Sequence, residues 1–106
     1  MNKKIKREWL KALRSGEYEQ SQGVLYESLP SGDSFCCLGV LIDSCIEGEW
    51  SNQGGSVWKF DGEYSWLPDS VKGIAKITHK HERTLVKMND RGRSFSSIAD
   101  YIEAKL

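Results

Sequence analysis

The segment that most constrains this chain is "FCCLGVLIDSCIEG", residues 35 to 48. It is apolar over too long a stretch, and on too many sides, to be the edge of a sheet. The length criterion for apolar runs predicts a buried central helix from Phe35 to Glu47, with a buried strand from Phe35 to Ile42 as the alternative. Asp33 or Ser34 can cap its start and Gly48 can stop its end. Gly39 costs such a helix roughly 1 kcal/mol against alanine, so its presence points to another backbone passing close by.

The rest of the chain is arranged around that core element. Ile5, Trp9, Ala12 and Leu13 recur at helical spacing, predicting a helix over residues 3–15 that stops at Gly16. "GVLYESL" has strand character and ends in the turn signals of "PSGDS". In "VWKFDGEYSW", Asp61-Gly62 lies between runs rich in aromatic and branched residues, the pattern of a tight hairpin over 57–66. Pro68 suits the first turn of a short helix, "PDSVKGIAKI". "HERTLVKM" reads as a further helix ending at Asn89-Asp90-Arg91-Gly92. Ser94 caps a last one, with Phe95, Ile98, Ala99, Ile102 and Leu106 on one face. No repeat or interdomain linker interrupts the 106 residues. The expected fold is a single α+β domain of about four helices packed on a small antiparallel sheet.

The paired cysteines raise the question of catalysis. A nucleophilic cysteine needs its pKa lowered by a histidine, a cation or a helix N-terminus. His79 and His81 are the only histidines, and they fall in a polar stretch expected to link two helices. Adjacent helical residues point about 100° apart, so Cys36 and Cys37 are poorly placed to ligate one metal ion, and Cys45 and H-x-H do not complete a zinc spacing. Buried thiols behave as small hydrophobes, and "FCCLGVL" reads as core. No catalytic residue, metal or cofactor is assigned. Three cysteines without an export signal describe reduced thiols.

Charge narrows the partners. Fifteen Lys and Arg balance fifteen Asp and Glu, which disfavours general nucleic-acid binding. The basic N-terminal helix, with Lys3, Lys4, Lys6, Arg7, Lys11 and Arg14, leaves weak nucleic-acid contact as one alternative. No apolar stretch approaches the ~20 residues of a membrane span, so the chain is expected in the cytosol.

Three candidate ligand loops remain. Trp58, Tyr64 and Trp66 surround the Asp-Gly turn and offer rings on which a base or a partner side chain can stack. Asn89, Asp90, Arg91 and Arg93 precede a helix N-terminus, where backbone N–H groups and arginines suit a phosphate or carboxylate. Tyr18 and Gln20 stand in the loop "SGEYEQSQG".

Together, "WLKALRSGEYEQSQGVL", "FCCLGVLID", Leu67-Pro68 and "LVKMNDRGRSFSSIADYIEAKL" resemble a family of short accessory proteins of bacteriophages and prophages. The resemblance covers nearly the whole chain apart from residues 49 to 64. It implies a small viral accessory protein made in a bacterial host cytoplasm, and it carries over no catalytic residue. The expected function is non-enzymatic binding of a nucleotide-derived small molecule or a host protein, inhibiting a host or anti-phage defence process. Such a protein often works as a homo-oligomer. The competing class is a small cysteine-dependent or nucleotide-processing enzyme. That class needs Cys36 or Cys37 within reach of a histidine, or Asp43 and Asp90 meeting in one pocket.

Overall fold

The computed structural model describes residues 1–106. Five helices and a four-stranded mixed sheet make an α+β fold around one apolar core. In chain order the elements are α1 (Lys3–Arg14), β1 (Glu19–Gln20), β2 (Tyr26–Leu29), β3 (Gly32–Phe35) and α2 (Cys37–Cys45). They are followed by β4 (Val57–Trp58), α3 (Asp69–Ala75), α4 (His79–Asp90) and α5 (Phe95–Lys105).

Helix α2 is the hub. Cys37, Leu38, Gly39, Val40, Leu41 and Ile42 are all buried, with α1 against one side and α4 against another. Burial of six consecutive residues explains why this segment shows no helical periodicity: there is no solvent face to be polar. The helix is shorter than the Phe35–Glu47 expected from sequence, because Phe35 completes β3 and Cys36 takes the extended cap position. Neither Asp33 nor Ser34 caps it, since both belong to β3.

Helix α1 begins at Asn2, whose side-chain oxygen accepts from the Ile5 N–H at 2.9 Å. Its apolar stripe brings Trp9 and Leu13 into the core, and the Trp9 indole N–H donates to the Cys37 carbonyl at 2.9 Å. The basic residues of α1 divide by facing. Lys6 donates to the Glu103 carbonyl, and Arg14 pairs with Asp100 and Glu103 of α5 at 2.9 Å. Lys3, Lys4, Arg7 and Lys11 carry no salt bridge.

The sheet runs β1-β3-β2-β4. β2 and β3 form its antiparallel hairpin, Tyr26 opposite Phe35 and Leu29 opposite Gly32. β1 joins β3 in parallel, so the sheet is mixed where the sequence predicted antiparallel strands alone. At 57–66 the expected tight turn is present: Asp61 and Gly62 both have positive φ, 49° and 82°, and Phe60 and Glu63 exchange main-chain hydrogen bonds. That is the geometry of a type I′ turn. The ladder does not continue beyond it. Val57 and Trp58 pair instead with Glu27 and Tyr26, and Lys59 pairs with Ser51.

The C-terminal helices follow the sequence closely. Thr78 caps α4, which places His79 and His81 in its first turn and not in a linker. Ser94 caps α5, whose Phe95, Ile98, Ala99 and Ile102 are buried. No helix is long and apolar enough to cross a membrane.

Candidate functional site

Two of the three loops singled out from sequence meet in the structure, and they form a seam between elements. Asn89, buried at the end of α4, accepts through Oδ1 from the Cys37 N–H at 3.0 Å and from Gln20 Nε2 at 2.9 Å. Its Nδ2 donates to the Ser21 carbonyl at 2.7 Å. Gln20 also donates to the Arg93 carbonyl, and Asp90 accepts from the Gly23 N–H. Asn89 thus supplies the cap that α2 lacks in its own sequence, and the same seam anchors the edge strand. Arg93 is turned along α5, donating to Ser97 Oγ at 2.7 and 3.1 Å. Arg91 is exposed and makes no side-chain hydrogen bond.

The cysteines are core. Cys36 and Cys37 are both buried, and burial pushes the Cys36 thiol up to about 11 and the Cys37 thiol well above its ordinary value. A raised thiol pKa is the opposite of what a nucleophile requires. Asp43 and Asp90 line different concavities, so no carboxylate pair forms between them. Cys36 and Cys37 are expected to label slowly with a thiol reagent in the folded protein and rapidly after denaturation. Rapid labelling of either under native conditions would return them to the list of reactive groups. Cys45 is half-buried and is expected to label faster than the other two.

The broadest concavity, about 530 Å³, opens between the Asp-Gly turn and the starts of α3 and α4. Trp66 forms one wall, 42% exposed, its ring 6.2 Å from that of His79. Tyr64, two residues before, is 51% exposed. At the base lies Glu82, with no exposed surface at all. Its Oε2 accepts from the Leu67 N–H. Its Oε1 holds no hydrogen bond, although Lys72 Nζ and His79 Nδ1 each lie 3.4 Å away. Burial acts to lower the Lys72 pKa, but the charge of Glu82 and the contact with Asp69 at 3.3 Å raise it above the ordinary value. Glu82 thus sets a buried carboxylate beside a lysine and a histidine at the mouth. Asp61, Glu63 and Asp69 add acids around the rim. His79 is shared with a neighbouring groove of about 250 Å³ along α4, where Lys80, Arg83 and Lys87 give it a basic character.

A second concavity, about 380 Å³, lies on the sheet side and contains Tyr18. Its rings are Tyr18, Tyr26, Phe35 and Trp50. Tyr26 stacks on Phe35 with centroids 4.6 Å apart and planes 10° from parallel, while Tyr18 meets Phe35 edge-on at 5.2 Å. Trp50 stands edge-on to Tyr26 at 5.1 Å. Trp58 belongs to this cluster, stacked on Tyr26 at 5.3 Å, and so stands apart from the wall that Trp66 forms. Asp43 accepts from the Tyr18 hydroxyl at 2.8 Å and from the Trp50 indole at 3.3 Å. Burial, reinforced by Asp43, raises the Tyr18 phenol, which stays protonated.

Of the ring-bearing residues singled out from sequence, Trp66 lines the first concavity and Tyr18 the second, while Tyr64 lines neither; Glu82, Lys72, His79, Trp50 and Asp33 line them without having been proposed as ligand contacts. A glutamate in a helix between a histidine and an arginine carries no mark of its burial. Four rings drawn from four separate segments show no spacing that could be read along the chain.

Fold and site together define a small α+β domain with an aromatic-walled recess. The chain belongs to the family described as a domain of unknown function (DUF8296), whose model matches residues 1–106. No curated protein and no solved structure matches it.

Proposed function

We propose that the protein is a phage-type accessory binding protein. It acts without catalysis in the host cytoplasm, by holding a nucleotide-derived small molecule and so inhibiting a host or anti-phage defence process. The observation that carries this reading is the position of Trp66. It is an exposed ring in an acidic recess, 6.2 Å from the ring of His79, the residue that this recess shares with a basic groove. A base stacked on Trp66 has carboxylates within reach of its N–H edge, and its phosphates are drawn the other way, toward Lys80, Arg83 and Lys87. Charge thus fixes one orientation, which stacking alone would not do. The phage setting is supported by the sequence motifs described above.

Base–aromatic stacking contributes roughly 1–3 kcal/mol, so Trp66→Ala is expected to weaken binding about ten-fold or more with an unchanged fold. Arg83→Ala is expected to weaken it mainly at low ionic strength. Calorimetric titration with mononucleotides and cyclic dinucleotides, beside thermal shift, reads both effects. Absence of any nucleotide-induced shift in the wild-type protein would overturn the reading. Loss of binding in Arg91→Ala but not in Arg83→Ala would move the phosphate site to the loop before α5.

A further inference from the structure

The concavity on the sheet side is built for the opposite charge. We propose that it is a docking site for an arginine-bearing segment of a partner protein. Four aromatic rings line it, and the carboxylates of Glu17, Glu19, Asp33 and Asp43 surround them, all four residues exposed. No lysine, arginine or histidine lines it. A cation over an aromatic face is held by the ring quadrupole, more strongly as it is desolvated, and carboxylates add charge-assisted hydrogen bonds. Planar guanidinium both stacks on rings and bonds carboxylates in pairs, which an ammonium ion does less well. Arginine is also enriched at the energetic centres of protein interfaces.

Tyr18 and Trp50, each half-buried, are the rings open to a guanidinium, because Phe35 is buried and Tyr26 is covered on both faces. Asp43 anchors Tyr18 and Trp50 through its two oxygens, and Tyr26 is fixed between Phe35 and Trp58. Little side-chain freedom is left to lose on binding, which favours affinity. The number and spread of the acids select a protein segment over a free cation. They come from the loop before β1, from β1, from β3 and from α2, and one guanidinium would leave most of them unneutralised. A segment with several basic residues meets them all. Phosphate-bearing partners are repelled by the same charges. This surface is separate from the Trp66 recess, and neither proposal rests on the other.

The test is a titration followed by ¹H–¹⁵N NMR, in which the Trp50 indole N–H and the amides of Tyr18 and Phe35 report directly. The probes are acetyl-arginine amide, a short peptide with several arginines, and a matched peptide with citrulline at those positions. Citrulline keeps the shape and removes the charge. The arginine peptide is expected to shift the concavity's signals saturably and to bind at least about ten-fold more tightly than either other probe. Glu19→Gln with Asp33→Asn, two exposed changes that leave the rings in place, is expected to weaken the peptide by about ten-fold. Trp50→Ala is expected to abolish saturable binding, and the double variant keeps the test valid should Trp50→Ala fail to fold. Equal binding of the citrulline peptide, or shifts centred elsewhere, would overturn the proposal. Acetyl-arginine amide binding as tightly as the peptide would make this a free-cation site and overturn protein docking.

Discussion

Gly39→Ala is expected to destabilise the protein by at least about 3 kcal/mol, the upper part of the usual range for overpacking. By helix propensity alone the change should help, since alanine is better than glycine in a helix interior by roughly 1 kcal/mol. The structure reverses that sign. A Cβ on Gly39 would lie 1.8 Å from the Leu25 carbonyl oxygen and 2.7 Å from the Leu25 carbonyl carbon. Both atoms are main chain, so no rotamer change relieves the contact. Either α2 or the segment leading into β2 must move, and each packs against the same core. For a domain of this size the loss corresponds to a fall in melting temperature of roughly 12–24 °C, at about 4–8 °C per kcal/mol. Thermal denaturation followed by circular dichroism measures it. A melting temperature equal to or above wild type would show that the two backbones are not in contact.

Asn89→Ala is expected to cost roughly 2–6 kcal/mol, counting about 1–3 kcal/mol for each of two main-chain groups left without a partner. Those groups are the Cys37 N–H, at the start of a helix with no other side-chain cap, and the Ser21 carbonyl. Gln20 loses an acceptor as well, although its bond to the Arg93 carbonyl remains. Hydrogen exchange is expected to quicken first at β1 and the first turn of α2, ahead of α5. Uniform exchange with an unchanged melting temperature would show that Asn89 does not join these elements.

These two residues mark how far the sequence could be read. Gly39 announced a close approach because glycine in a helix interior has a known local cost, and the cost is offset where it stands. Asp61-Gly62 announced its turn, and Ser94 its cap, for the same reason: the chemistry acts within three or four residues. Asn89 gave no such notice. It stands among turn-forming residues, yet it caps a helix whose first residue is 52 positions earlier, and nothing local distinguishes that from an ordinary turn asparagine. Strand β1 was equally silent, because two residues are too few to alternate. The ladder expected beyond Trp58 was misassigned to the residues after the turn, since β2 competes for the same edge and wins. The candidate site divides in the same way. Exposed aromatics beside a turn could be anticipated. The buried charge of Glu82 could not, because burial is a property of the folded chain.

The proportions of the sheet bear on how this protein can meet others. Its interior strands are four residues long, and the strand at each margin, β1 and β4, has only two. A margin so short exposes few unpaired amides and carbonyls. It gives an incoming chain almost nothing to extend, and that limits accidental self-stacking at high concentration. It also narrows the main-chain route to a complex in which a peptide adds itself as one more strand. Side chains are then left to do the reading, so selectivity toward a partner is expected to depend on the shape and charge of the hollows rather than on a peptide's ability to lie straight.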